Sequence, residues 1–599
     1  MRTFIAGGVI LIFIFIQLGR GGSAVRTIDG DGSGYYAYLT SVFIHHTTDF
    51  TVVYKVEKER RGLDYMAHYF YKTEQGMINK YYLGTALMIL PFFLLAWLYS
   101  VIIGMPADGY TILFQYAVSL SAAVYLAIGL LAVRKLLSLY DIFKKNQIWA
   151  IVLLLFGTNL FYYAYLHPSH SHVYSFAAIS VFLLFSKRFF ITANVSYFMI
   201  ASLVLGLVAL IRPTNAIIVF ALFFIAGSKT LFLERVKPLF QKPSLILVAI
   251  LLSLSVFMLQ PLFNFIQTGN WFLWSYRQEG FRFNEPALLS FLFSYRKGFF
   301  IYTPLMLLVV PALVLMYQRS FYMASTFFGY LILLILLLSS WWNWFFGDSF
   351  GMRAMIDHYA LLMIPVAMML QQFLVKPIGK WVMLLFLTVV VSLNLIQTYQ
   401  YYTGILHPDS MSKEKYWHVF MKTSAEYRNV FGSYPEPVFA EFADNDGLTY
   451  LNDMESPSNF WTSNGVVSST SAYSGSYLAE LNQSNIYSPT LVLSGQSLPV
   501  TQKELYVSVN LMFRELVQNA TSEALLVYAS TGFDNQLLFY KTFKVKQIPD
   551  YIINEWCNTT FGFKVPAWTK EHKQVKIYVW NKSSGLFQLD DFEINIYPI

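Results

Sequence analysis

The stretch Asp29-Gly-Asp-Gly-Ser-Gly-Tyr-Tyr-Ala-Tyr-Leu39 directly follows the first apolar segment of the chain, residues 4–18. That segment is either a retained membrane helix, which we favour, or a signal peptide ending near Gly22-Ser23-Ala24, and both place Asp31 outside. An unpaired acid is costly beside hydrocarbon, so acids kept there usually have a chemical or binding task. The alternative is a Gly/Asp turn that only lets the chain leave the bilayer.

Composition identifies the class of protein. The 599 residues are 56% hydrophobic and 13% charged, with repeated apolar runs long enough to span as helices, which is typical of a polytopic membrane protein. The net charge of +8 comes from basic residues that flank apolar runs, which favours membrane orientation and argues against nucleic-acid binding. Cys557 is the only cysteine, so disulfides, zinc clusters and iron–sulfur sites within one chain are excluded.

The apolar runs predict about 11 membrane-spanning helices with the N-terminus inside. The predicted spans are residues 4–18, 110–133, 148–166, 173–185, 195–211, 215–226, 245–263, 299–317, 322–338, 359–375 and 381–397. The basic residues of the short connections then fall inside, and the odd number of crossings places the region after about Tyr401 outside. Counting residues 81–104 as a further span would move every later loop to the opposite side of the membrane. We therefore expect these residues to form helices that lie on or dip into the outer leaflet, with a break at Pro91.

This topology collects acids, bases and aromatic residues at the outer face, which predicts an active site there. Asp31 is the candidate catalytic residue, as a general base toward an acceptor hydroxyl or as a holder of a metal. Asp29 is the less favoured base and a candidate for binding substrate. Lys80 opens an apolar stretch, where it could pair with a lipid phosphate or simply extend to the headgroups.

Other outer connections add substrate-binding candidates. His172 ends the segment His167-Pro-Ser-His-Ser-His172, whose histidines either ligate a metal or face water. Arg212 stands beside Pro213 and could contact phosphate or mark the interface. Arg296 and Lys297 begin another span, where adjacent cations oppose the helix dipole unless they bind an anion or extend to the headgroups.

The last outer loop, residues 341–353, combines aromatic and charged residues. Trp344, Asp348 and Arg353 predict a sugar and phosphate site, in which an aromatic face stacks on the sugar and the guanidinium pairs with phosphate. An interfacial aromatic belt is the alternative interpretation.

Together these motifs resemble the GT-C superfamily of polytopic glycosyltransferases, which includes protein O-mannosyltransferases and aminoarabinose transferases. The resemblance extends to about Gln400 and rests on Asp31 four residues before Tyr35, and on Lys80 before an apolar helix. Asp31-Gly32 stands where the family usually has an Asp-Glu pair, and Tyr81-Tyr82 stands in place of Pro-Pro.

The resemblance implies a polyprenyl-phosphate sugar donor used at the outer face, with Tyr35 in the substrate site. Asp31 would deprotonate the acceptor, and Lys80 with Arg212 or Arg353 would stabilise the departing phosphate. Attack opposite the phosphate would invert the anomeric centre.

The composition changes after residue 400. We predict a transmembrane catalytic domain over 1–400, a linker with an amphipathic helix over 401–450, and an all-β sandwich over 451–599. The predicted strands are residues 504–513, 524–530, 536–543, 575–580 and 587–597. The sandwich resembles the jelly-roll modules of carbohydrate-binding proteins, in which Asp590 or Asp591 would contribute to a structural calcium site or would be ordinary turn acids.

The sequence therefore predicts a multi-pass protein of a bacterial-type inner membrane that transfers a sugar to a glycan, lipid or protein acceptor. Its expected partners are the polyprenyl-phosphate donor, the acceptor and membrane lipids, without nucleic acid. A divalent metal at the active site and calcium in the β-domain are the cofactors left open. A lipid-linked glycan transporter and a membrane-anchored carbohydrate-binding protein are the alternative functions.

Overall fold

The computed structural model describes residues 2–20, 26–62, 67–73, 75–276, 279–374, 377–431, 447–498, 500–501, 503–517, 520–521, 523–546, 553–582 and 585–598. The chain divides into two compact units. The first contains Met1–Glu57 and Ala67–Tyr402, and the second contains Lys58–Met66 and Thr403–Ile599. The predicted cleavage motif at residues 22–24 lies outside the described residues.

The first unit is helical, with one short hairpin of strands. Its α-helices are α1 (Arg2–Arg20), α2 (Asp31–Phe43), α3 (Thr51–Arg61), α4 (Gly84–Ile102), α5 (Ile112–Ser138), α6 (Lys144–Phe156), α7 (Ser171–Thr192), α8 (Val195–Ile211), α9 (Leu222–Ala226), α10 (Lys229–Phe240), α11 (Pro243–Phe257), α12 (Leu259–Thr268), α13 (Leu288–Phe293), α14 (Phe299–Tyr302), α15 (Val309–Arg319), α16 (Phe321–Ser339), α17 (Tyr359–Phe373) and α18 (Pro377–Tyr402). Strands β1 (Phe70–Thr73) and β2 (Gly76–Asn79) pair antiparallel. Short 3₁₀ segments cover Pro213–Ala221, Pro304–Leu308 and Arg353–His358, and a π-helix covers Tyr162–Leu166.

The protein is a multi-pass membrane protein, as predicted, but it has fewer full-length spans than the eleven expected. Six described helices are long and apolar enough to cross, or eight if each of two bent pairs is one span. The expected spans at 148–166 and 299–317 are not single helices. Gly157 ends α6 before the π-helix, and Pro304 begins a new 3₁₀ segment after α14. The hydropathy of a run does not reveal such internal breaks.

Helix α4 corrects one expectation. It is continuous through Pro91, so the predicted break is wrong, and it is long and apolar enough to cross a membrane. Its first residue packs on the end of α8, where an added Cβ at Gly84 would lie 2.4 Å from the Ile211 nitrogen. Near its middle, Phe93 packs against Phe114 in the first turn of α5, with 5.2 Å between ring centres.

The central helices α5, α7 and α8 place the start of α7 and the end of α8 at the same end of the helix bundle. Ser121 of α5 hydrogen-bonds Tyr174 of α7 at 2.7 Å, and Gly129 packs on Phe176, so α5 and α7 run in the same direction. Helix α8 follows α7 after a two-residue turn and returns along it, so Arg212 at its end comes within 3.3 Å of the His172 ring.

Two glycines let the first turn of α2 pack closely into this end of the helix bundle. An added Cβ at Gly32 would lie 1.9 Å from the Ser169 hydroxyl, and one at Gly34 would lie 2.5 Å from the Tyr81 ring. Asn79 at the end of β2 donates to the Gly34 carbonyl at 2.6 Å. The start of α2 is therefore held between the loop before α7 and the residues after the hairpin.

The second unit is a β-sandwich preceded by helix α19 (Lys413–Val419), which Ser412 caps. The strands are β3 (Leu448–Asn452), β4 (Val466–Ser468), β5 (Tyr477–Leu481), β6 (Leu491–Ser494), β7 (Leu505–Glu515), β8 (Ala524–Gly532), β9 (Leu537–Lys544), β10 (Cys557–Val565), β11 (His572–Asn581) and β12 (Phe587–Pro598). One sheet has the order β10-β7-β12-β5-β4, with β3 also on β12, and the other has the order β6-β11-β8-β9. Both sheets contribute to one apolar core.

All five predicted strands exist, since their alternating apolar residues line this core. The sequence reading missed β3 to β6 and β10. Part of the predicted linker, residues 432–446, lies outside the described residues, and the jelly-roll topology stays a prediction.

A close backbone contact between α8 and α11 gives a test of this packing. An added Cβ at Gly206 would lie 2.1 Å from the Ser253 carbonyl oxygen, whereas one at Gly329 in α16 has nothing within 4 Å. We expect Gly206→Ala to destabilise the protein by about 1–3 kcal/mol because the helices must separate. Gly329→Ala, the matched control, should be neutral or stabilising by up to about 1 kcal/mol. Thermal unfolding in detergent measures both, and equal melting temperatures would contradict this packing.

Candidate active site

Asp31 lies in the first turn of α2 and is held by a cation. Its Oδ2 atom lies 2.6 Å from Nη2 of Arg353, and its Oδ1 atom lies 3.2 Å from Nε2 of His68. Tyr81 donates a third hydrogen bond to the carboxylate. The Asp31 and Arg353 side chains are 15% and 12% exposed, so the pair is largely but not wholly shielded from solvent.

These contacts determine the protonation state of Asp31. Burial raises the pKa of the carboxyl, but the Arg353 guanidinium and the His68 hydrogen bond outweigh burial and hold the pKa well below its usual value. Asp31 is therefore ionised at neutral pH. A carboxylate with so low a proton affinity is a weak base for as long as Arg353 remains beside it.

A second polar cluster surrounds Asp357, whose side chain is fully buried. Its Oδ1 atom lies 2.8 Å from Nδ1 of His172, and its Oδ2 atom accepts from Asn215 at 2.7 Å. Arg212, 20% exposed, lies 3.6 Å from the same oxygen. The carboxylate thus ties the start of α7 and the end of α8 to the segment that carries Arg353.

Tyrosines and histidines fill the space around the two clusters. The Tyr35 ring stacks on that of Tyr81 at 4.5 Å, and Ser171 donates to the Tyr35 hydroxyl at 3.3 Å. Burial raises the pKa of Tyr35, so it remains a neutral phenol. His167 and His170 share a hydrogen bond between their Nδ1 atoms at 3.0 Å, and burial with the nearby His167 lowers the pKa of His170 well below its usual value.

Lys80 is engaged with a group that sequence reasoning missed. Its amine lies 2.9 Å from Oε1 of Glu279, and it stands 5.6 Å from the ring centres of Tyr81 and Tyr276. Lys80 is therefore next to the Asp31 site through Tyr81, but its charge is balanced by a carboxylate. A phosphate at Lys80 would have to compete with Glu279.

The remaining predicted residues do not join Asp31. Asp29 accepts from the Gly30 amide at 2.8 Å and so stabilises the turn before α2. Arg296 stacks on Phe345, with 3.4 Å between its guanidinium carbon and the ring centre. Lys297 is buried and donates to the Ser349 carbonyl, so both cations hold the 341–353 loop instead of opening toward an anion. Within that loop, Trp344 packs edge-on against Phe345, and Asp348 is exposed.

The donor groups of the described residues do not fit a metal. No group of three His, Cys, Asp or Glu side chains within the described ranges converges on one point. Both oxygens of Asp31 already have partners, and one of these is a guanidinium. In the second unit, Asp590 accepts from the amides of Tyr473, Ser474 and Asp591, and the Asp591 carboxylate accepts from the Ser474 hydroxyl. Both carboxylates thus organise the turn at residues 473–474.

His68 and Glu279 have no strong signal in the sequence, and Asp357 stands out there only as one of the charged residues at the predicted outer face. Asp357 follows Arg353 by four residues in a buried segment, and its role depends on residues more than 140 positions away. His68 and Glu279 lie in connections without a recognisable motif. The polarity of Asp357 inside an apolar run was the one available clue, because buried carboxylates are costly unless paired.

No protein-family model matches the chain, and no curated protein matches it. Among solved structures, it is similar to the arabinosyltransferase EmbB from Mycobacterium smegmatis, with 12% identity over 95% of this chain and 64% of that one, at a TM-score of 0.34. It is also similar to the Archaeoglobus fulgidus oligosaccharyltransferase, with 14% identity over 69% and 54%, at a TM-score of 0.37.

A third similarity involves a quarter of the chain. The xylan-binding domain CBM22-1 of Paenibacillus barcinonensis Xyn10C matches at 13% identity over 25% of this chain and 94% of that domain, at a TM-score of 0.18. All three TM-scores are below 0.5.

The buried Asp357 cluster gives a second prediction. Asp357→Asn should lower the free energy of unfolding by about 3–5 kcal/mol, because it leaves Arg212 without its buried counter-charge. The amide that replaces the carboxylate has only one oxygen, so it can accept a hydrogen bond from only one of His172 and Asn215. Asp348→Asn, at an exposed carboxylate, should leave the melting temperature unchanged. A melting temperature for Asp357→Asn equal to that of wild type would mean that the cluster contributes nothing to stability.

Proposed function

We propose that the protein is an integral-membrane glycosyltransferase that moves a sugar from a polyprenyl-phosphate donor to an acceptor hydroxyl. The observation that carries this proposal is the ion pair of Asp31 with Arg353, which is partly exposed and backed by the buried Asp357 cluster with Arg212. A carboxylate and two guanidinium groups at one apolar site match the needs of the reaction. The carboxylate receives a proton, and the two guanidinium groups stabilise the negative charge of the departing phosphate.

The first step is donor binding. The phosphate of the donor is an anion and competes with Asp31 for the Arg353 guanidinium, which pairs with phosphate through two parallel hydrogen bonds. Arg212 supplies a second cation at the same end of the bundle. As Arg353 turns to the phosphate, Asp31 loses the contact that lowers its proton affinity, so it becomes a better base once the donor is bound.

In the transfer step, the acceptor oxygen attacks the anomeric carbon opposite the phosphate. The bond from carbon to phosphate oxygen breaks, and its electron pair stays on the phosphate. Asp31 takes the acceptor proton, and the two arginines stabilise the charge that develops on the leaving group in a site with little water. Attack from the opposite face inverts the anomeric centre.

The surrounding residues suggest how the sugar is held. Tyr35 and Tyr81 stack beside Asp31, and Lys80 with Glu279 lies next to Tyr81. Lys80 is the third candidate for the phosphate, provided that the donor displaces Glu279. Trp344 and Asp348 remain candidates for sugar contacts from the neighbouring loop.

The arrangement favours an enzyme over a transporter. A transporter for a lipid-linked glycan should carry its polar groups near the middle of the membrane. Here Asp31, Asp357, Arg212 and Arg353 lie where α2 and α7 begin and α8 ends. We assign this end to the outer face of a bacterial inner membrane, with the N-terminus inside and the β-sandwich outside, where it would bind a glycan.

Sugar transfer by purified protein tests the proposal. A panel of radiolabelled polyprenyl-phosphate sugars is offered to wild type and to Asp31→Asn, with donor binding measured separately. We expect turnover by wild type with at least one donor, and a loss of kcat of about 10²-fold or more in the variant, because the amide cannot accept the proton. Donor binding should survive, since the variant leaves both arginines in place.

Two results would contradict the proposal. Equal turnover by wild type and Asp31→Asn would remove Asp31 as the base. Absence of turnover by wild type with every donor, in protein whose melting curve shows it to be folded, would remove the enzyme and favour the transporter.

A further inference from the structure

Beyond Asp31, we propose that His68 is a proton-relay residue that acts through Asp31: it takes from Asp31 the proton lost by the acceptor and passes it to water. This inference rests on the glycosyl transfer proposed above. The contact that carries it joins Nε2 of His68 to Oδ1 of Asp31 at 3.2 Å.

Asp31 is badly suited to keep a proton. Its Oδ2 atom lies against Arg353, and this cation favours the ionised carboxylate. When the transferred sugar has left and Arg353 can return, a protonated Asp31 would have to release its proton before the ion pair could form again. A neighbouring base with a route to water speeds this release in each catalytic cycle.

His68 has the required position. It shares Asp31 with Arg353 but uses the other carboxylate oxygen, so both contacts exist at once. Its side chain is 55% exposed, whereas that of Asp31 is 15% exposed. A proton that reaches the imidazole can thus be exchanged with water without crossing the site. Imidazole can also accept a proton at one ring nitrogen and release one from the other.

The other titratable groups around Asp31 fit this role less well. Arg353 does not give up its proton at any relevant pH. Tyr81, which hydrogen-bonds Asp31, and Tyr35 are buried phenols with raised pKa values, so they do not supply a base. His170 is buried, and its lowered pKa makes it a poor proton acceptor. Tyr69 meets the edge of the His68 ring at 5.4 Å between centres and fixes its plane.

The proton balance is simple. The acceptor hydroxyl loses its proton to Asp31 as its oxygen bonds to the anomeric carbon, and the phosphate leaves with the electron pair. While Asp31 is ionised, Nε2–H of His68 donates to it. Once Asp31 holds the acceptor proton, the exposed ring exchanges protons with water to the tautomer protonated at Nδ1, and its free Nε2 then accepts the proton from Asp31. The imidazolium finally loses a proton to water, and the Asp31–Arg353 ion pair forms again. No oxidant, metal or further reactant is required.

The test compares His68→Gln with wild type over a range of pH, using the polyprenyl-phosphate sugar that wild type turns over best. Glutamine keeps a donor for Asp31 but cannot relay a proton. We expect kcat to fall by about 10²-fold with little change in KM for the donor. Added imidazole should restore part of kcat in His68→Ala, where the ring leaves a space.

His46→Asn is the matched control. His46 is an exposed histidine just beyond the far end of α2, and its left-handed backbone suits asparagine. Its kcat and pH profile should equal those of wild type.

The outcomes separate this inference from the proposed function. Wild-type kcat in His68→Gln would overturn the role of His68 and leave Asp31 as the sole base. A loss of kcat in His68→Gln and His68→Ala without rescue of His68→Ala by imidazole would mean that His68 only positions Asp31, which also overturns the relay. Absence of turnover by wild type would overturn the proposed function and this inference together.

Discussion

The buried carboxylate of Asp357 is the contact on which the arrangement of the site depends. It binds His172 from α7 and Asn215 and Arg212 from beyond α8, and it belongs to the same short 3₁₀ segment as Arg353. A buried charge is tolerated only when it is well paired, so these elements have one favourable arrangement. That arrangement presents Arg353 to Asp31, and the Asp31–Arg353 ion pair is therefore a consequence of the cluster behind it.

A steric constraint acts together with this electrostatic one. Gly32 and Gly34 let the first turns of α2 approach Ser169 and the rings of Tyr69 and Tyr81, and any side chain there would push α2 away. The glycines of the 29–39 stretch are thus explained by close packing, where the sequence alone suggested a flexible turn. Asp31 reaches its position beside Arg353 because Gly32 and Gly34 have no side chains that would hold α2 away from Ser169, Tyr69 and Tyr81.

Charge compensation is a common property of this end of the bundle. Asp31 balances Arg353, Asp357 balances Arg212, and Glu279 balances Lys80. Each cation that could bind a phosphate is therefore already paired with a carboxylate. In the proposed function, binding of an anionic donor exchanges partners within these pairs, and this exchange would link donor binding to the basicity of Asp31.

The sequence by itself determined the class of protein, the β-sandwich after residue 447 and several residues of the site. Apolar runs and alternating strands are local patterns, and burial of their apolar faces is the main driving force of folding, so they survive in the structure. Asp31, Tyr35, Arg212 and Arg353 could be singled out because charged and aromatic residues are conspicuous beside apolar runs.

Only the tertiary structure decided which of these residues meet. It paired Lys80 with Glu279 and turned Arg296 and Lys297 toward their own loop, and it added His68 and Asp357 to the site. It also broke the predicted spans at Gly157 and Pro304 and kept α4 whole through Pro91. Ion pairs and close contacts join residues far apart in the chain, and their partners are selected by distance and burial, which no local pattern contains.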